Sequence, residues 1–78
     1  MTKSKLMGIL NRLIAMLEDE SGVEQNRRFE KDGNVACQVT LSQDKETWQL
    51  EEYQNNETFS FDDVDLVAIE VYDLLFDN

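Results

Sequence analysis

A side chain does chemistry only when its neighbours shift its protonation or hold a reactant against it. This 78-residue sequence offers few such neighbours, with one cysteine and no histidine. Cys37 is the one strong nucleophile candidate, and a catalytic thiol needs a base, a cation or a helix N-terminus to lower its pKa. Cys37 instead alternates in phase with Val35, Val39 and Leu41, which predicts a core residue. Without histidine, acid–base work would fall to carboxylates, lysines or tyrosines. Glu51 and Glu52 are adjacent on a predicted strand, so they point to opposite faces and do not form a catalytic pair. No catalytic residue is assigned, and the sequence leans away from an enzyme.

Arg27 and Arg28 are the one basic pair, and they are the candidates for gripping a phosphate or carboxylate of a ligand. Pairing with the neighbouring acids Glu24 and Glu30 is the more ordinary use of such residues. Trp48 and Tyr53 could stack a ligand, but Trp48 alternates in phase with Leu50 and is expected in the core. Gly8, Gly22 and Gly33 are too far apart to form a phosphate-cradling loop. Asp62, Asp63 and Asp65 put three acids in four positions. A calcium loop would need spaced acids, a glycine and a distant bidentate glutamate, and "DDVDLVAIE" lacks that glycine. A helix start explains the acids better. Asp62 is the expected N-cap, Asp63 and Asp65 sit at the positive end of the dipole, and Phe61 and Leu66 have hydrophobic-staple spacing. Ser60 as cap, with Asp63 completing a capping box, is the alternative. Neither a metal nor a cofactor is expected.

The elements that position these residues follow from periodicity. Leu6, Met7, Ile9, Leu10, Leu13, Ile14, Met16 and Leu17 predict a helix over residues 2–19, with Gly22 suited to its left-handed end. "RRFEK" and "VACQVTL" flank Asp32-Gly33, a strong signal for a tight hairpin turn. "TWQLEEY" and "TFSF" supply the third strand and a short fourth, with Phe59 and Phe61 facing inward. A second helix closes the chain. The expected fold is α+β: a two-layer arrangement in which a three- to four-stranded antiparallel meander is flanked in sequence by two helices packed on one sheet face. Residues 1–78 form one domain. The apolar residues of each helix span half its circumference or more, wider than one sheet face requires. A homodimer, or another protein partner, would cover the remainder.

The formal net charge is −10. It is uneven: residues 1–28 hold five bases and four acids, whereas residues 29–78 hold two bases and thirteen acids. Such a field repels phosphate backbones and anionic lipid, so neither nucleic acid nor membrane is expected as a partner. A lone cysteine and the lack of any long apolar run point to the cytoplasm.

"LMGIL", "RRFEKDGNVACQV" and "FSFDDVDLVAIEVYDLL" together resemble the YkuJ-like family, short cytosolic bacterial proteins of unknown function. The resemblance covers nearly the whole chain and implies helices against an antiparallel sheet, with no catalytic residues to carry over. The leading functional expectation is a small acidic cytosolic interaction or regulatory module without catalytic activity. The alternative is a sensor of an anionic small molecule, or an uncharacterised enzyme, using Arg27 and Arg28 on the wet sheet face. An acidic mimic of nucleic acid is a third and weaker reading.

Overall fold

The computed structural model of the chain describes residues 5–76. Helix α1 spans Lys5–Glu18, strands β1 to β4 span Gln25–Lys31, Asn34–Leu41, Trp48–Glu52 and Glu57–Phe61, and helix α2 spans Val64–Phe76. The strands form one antiparallel sheet in the order β1-β2-β3-β4. The α+β meander expected from periodicity is the observed fold. The expected first turn of α1, at residues 2–4, lies outside the described residues.

Strands β1 to β3 alternate in burial because one sheet face is dry. Phe29, Cys37, Val39, Leu41, Trp48 and Leu50 face the helices and are buried. Ile9, Leu13 and Met16 of α1, with Val67, Ala68, Val71 and Leu75 of α2, close over them. Each large side chain of this set stabilises the fold by roughly 1.5–3 kcal/mol. The other face is wet. Its cross-strand rows read Asn26, Thr40, Gln49, Ser60 and Arg28, Gln38, Glu51, Thr58.

Asp32 (φ 55°) and Gly33 (φ 84°) both adopt the left-handed region between the paired residues Lys31 and Asn34. That is the two-residue turn whose twist matches the flanking strands. Two local expectations are corrected. Gly22 has φ 77° but lies beyond the helix end at Glu18, in the following loop. The α1 carbonyls are closed instead by Lys45, whose ammonium receives no help from sequence proximity: it donates to the carbonyls of Leu17 (2.8 Å) and Asp19.

The cap of α2 is Asp63 rather than Asp62. Its Oδ1 accepts the Asp65 backbone N–H at 2.8 Å, and its carbonyl accepts that of Val67 at 3.3 Å. Ser60 lies within β4. Moving the cap by one residue puts the buried Val67, not Leu66, at the fourth helical position, so the expected Phe61–Leu66 staple is not the one the backbone sets up. Asp65 remains in the first turn, at the positive end of the dipole.

Candidate functional site

The residues that could do chemistry are kept apart. Cys37 is fully buried in the core, and burial, with the nearby Glu52 carboxylate adding to it, pushes its thiol up to about 11. A thiol so raised is a poor nucleophile. Glu51 and Glu52 take opposite faces as expected: Glu51 is exposed, while Glu52 is buried on the helix side and accepts a hydrogen bond from the Asn55 amide. Trp48 is buried beside Leu50. Tyr53 stays at the surface and donates its hydroxyl to Gln38 Oε1 at 3.2 Å.

Arg27 and Arg28 are consecutive in β1, so their side chains leave on opposite faces of the sheet. They do not converge on one ligand. Their hydrogen-bond partners are uncharged, in place of the expected Glu24 and Glu30. Arg27 Nη1 donates to the Asn26 carbonyl at 2.9 Å, and Arg28 Nε donates to Gln38 Oε1 at 3.2 Å. Gln38 thus holds Arg28 and Tyr53 together on the wet face, a small polar cluster not singled out from the sequence.

Two surface acids, Asp19 and Asp44, are held as anions by their own loops. Hydrogen bonds from Ser21 keep the Asp19 carboxyl below its ordinary pKa. Ser42 Oγ, at 2.5 Å, and the Glu46 N–H do the same for Asp44. Among the described residues no three acidic or cysteine side chains converge in a metal-holding geometry. A shallow concavity of about 380 Å³ lies at the β1–β2 turn end, between Lys31, Asn34, Val35, Glu52 and Leu74. Among the described residues Lys31 is the one cation that lines it, with Asp32 and Glu52.

More informative is what the fold leaves uncovered. Ile69 (48% exposed) and Phe76 (44% exposed) are seven residues apart on α2, and Met7 and Ile14, also seven apart, are exposed on α1. Tyr72 and Phe76 meet with ring centroids 5.4 Å apart, and Lys5 Nζ stands 4.5 Å from the Phe76 ring centre. Phe59 shares the inner face with Phe61 as expected, but it is 38% exposed, because neither helix covers the β4 edge there. Leu66 is half exposed and lines a shallow concavity with Ser60, Phe61 and Asp62.

The chain is similar to the uncharacterized protein YkuJ of Bacillus subtilis (strain 168), at 35% identity over 92% of this chain and 98% of that protein. An X-ray structure of the B. subtilis YkuJ protein superimposes with a TM-score of 0.84 over the same shares of the two chains. It carries the same architecture of two helices and a four-stranded meander. Residues 9–75 match the family described as protein of unknown function (DUF1797), and no catalytic function is indicated for it. With that span and that identity, the chain belongs to the DUF1797 family.

Proposed function

We propose that this chain is a non-enzymatic interaction module of the cytoplasm that works as a homodimer and docks another protein. The observation that carries the reading is the pair of seven-residue apolar spacings left outward on the helices, Met7/Ile14 and Ile69/Phe76, in a chain of net charge −10. Leaving large apolar side chains in water forgoes roughly 1.5–3 kcal/mol each, so their burial against a partner is a ready source of affinity. The surrounding acids supply long-range attraction for a basic partner surface, which speeds encounter and is screened by salt. Glu51, on the wet face, belongs to that field, whereas Glu52 does not, because it is buried against the helices.

The anionic-ligand reading has less support. Of the pair, only Arg28 lies on the wet face, in the cross-strand row that also holds Gln38 and Glu51, while Arg27 is on the other side.

Capture from the source cytosol on the immobilised protein tests the proposal. A protein retained by wild type, eluted by salt, and lost from Ile69→Glu is the expected result. Equal recovery by wild type and Ile69→Glu, or none with either, counts against a docking role for the helix pair.

A further inference from the structure

The sheet has two edges, and the chain treats them differently. The direction of each backbone group follows from one bond: the Tyr53 N–H donates to the Ala36 carbonyl at 3.2 Å. Backbone groups of successive strand residues point alternately to one side and the other. In β3, therefore, Gln49 and Glu51 turn toward β2, while Trp48, Leu50 and Glu52 turn toward β4. Carried outward, this leaves Asn26, Arg28 and Glu30 facing solvent at the β1 edge, and Thr58 and Ser60 at the β4 edge.

Two of the outward carbonyls of β1, those of Asn26 and Arg28, are already occupied. Arg27 donates to that of Asn26 at 2.9 Å, and Arg12 of α1 donates to that of Arg28 at 3.2 Å. Arg12 is fixed there by its position 4.4 Å over the Phe29 ring. A bulge between Phe29 and Glu30 further breaks the ladder. These are the devices by which proteins stop an edge from pairing. At β4 none of them is found among the described residues. Its sequence, ETFSF, has no proline and no internal charge, the β3–β4 register is regular, and no side chain donates to the Thr58 or Ser60 carbonyl.

We infer that β4 is the self-association edge: two copies pair antiparallel through Glu57–Phe61 about a two-fold axis at Phe59, joining two four-stranded sheets into one of eight strands. The inference rests on the homodimer reading above and assigns it a surface. The register is set by the backbone. Thr58 lies opposite Ser60 of the second copy, and each such pair exchanges two backbone hydrogen bonds through the groups that point outward. Phe59 meets its own equivalent in a non-hydrogen-bonded position, where side chains approach most closely.

Side chains agree with that register. Thr58 and Ser60 are hydroxyl partners on the wet face, a favourable cross-strand pair. Phe59 (38% exposed) gains cover on the helix side. Glu57 falls opposite Phe61 and Asp62 opposite Asn56 of the second copy, so no two acids are directly opposed despite the charge of −10 on each chain. With only one open edge, pairing closes at two copies and does not run on into a filament.

Two variants test this by sedimentation and by cross-linking. Ser60→Pro removes an outward N–H that makes no bond within the sheet, a position where an edge strand accepts proline, so the fold is retained and the dimer is lost. Phe59→Cys places two thiols with Cα atoms about 4.5 Å apart, inside the roughly 4.4–6.8 Å range of a disulfide, while the buried Cys37 does not compete. Oxidation should give a covalent dimer from Phe59→Cys and none from Ile69→Cys. A wild-type chain that is monomeric at every concentration overturns the homodimer reading itself. A wild-type dimer that survives Ser60→Pro and cross-links through Ile69→Cys overturns the β4 edge alone. Because the two chains carry the same charge, added salt should tighten self-association, opposite to its effect on a basic partner.

Discussion

Lys45 Nζ lies 2.8 Å from the carbonyl oxygen of Leu17, so a lysine in the β2–β3 loop closes the C-terminus of α1 from 28 residues away. The ammonium satisfies carbonyls that have no partner within the helix and sits at the negative end of the helix dipole. Lys45 itself has φ 64°, a conformation disfavoured for a side chain with a Cβ and held by those two bonds. Lys45→Met should therefore destabilise the fold by about 1–2 kcal/mol in urea unfolding. Lys45→Gly loses the same bonds but relieves the backbone, and should be the milder of the two.

At the other helix, the capping carboxylate belongs to Asp63 and not to its neighbour. Asp63→Ala should cost about 1 kcal/mol, the usual loss for a side chain that accepts a first-turn N–H. Asp62→Ala should stay within about 0.5 kcal/mol of wild type. Thermal unfolding of the two variants side by side decides between the caps, and a larger loss from Asp62→Ala would contradict the observed hydrogen bond.

Cys37 should be chemically silent in the folded chain. With its pKa raised from 9.0 to about 11, its thiolate population near pH 8 falls about 100-fold from that shift alone, before burial restricts access. Alkylation should proceed at the rate of unfolding, and Cys37→Ala should leave any partner binding intact. The sign of the pH dependence follows. The folded state holds the proton more tightly, so this residue's contribution is intact below pH 9 and is lost as pH rises through about 11. Denaturant midpoints should therefore fall across that interval in wild type and fall less in Cys37→Ala.

Much of the fold was legible because it is local. The alternation from Cys37 to Leu41 marked one dry face, although Val35 falls past the register shift and outside the core, and Asp32-Gly33 marked the turn that both positive φ angles display. The α2 cap was misplaced by one residue because Ser60, Asp62 and Asp63 can all cap, and side-chain chemistry alone does not rank them. Sequence alone points to Gly22 as the end of α1, because the true closure, through Lys45, joins segments distant in sequence. The candidate pair Arg27 and Arg28 was named from charge, while strand alternation sends the two apart. The unequal edges were not legible at all. They depend on which carbonyls point outward and on where α1 lays Arg12, and neither has a signature in the order of residues.

Arg12 gives the sharpest test of that edge asymmetry. Its guanidinium both covers the Phe29 ring and occupies the outward carbonyl of Arg28. Arg12→Met keeps an unbranched apolar stem over Phe29 but removes the donor, so it should cost only about 1 kcal/mol of stability. Its larger effect should be on assembly. With the β1 edge opened as well as β4, each copy has two pairing surfaces, and association no longer closes at two chains. Light scattering should show growth beyond the dimer with rising concentration in Arg12→Met and none in wild type. Adding Ser60→Pro to that variant blocks one of the two edges and should stop the growth at small species. Scattering from Arg12→Met identical to wild type would show that the guanidinium does not guard the edge, leaving the bulge at Phe29/Glu30 as the feature that does.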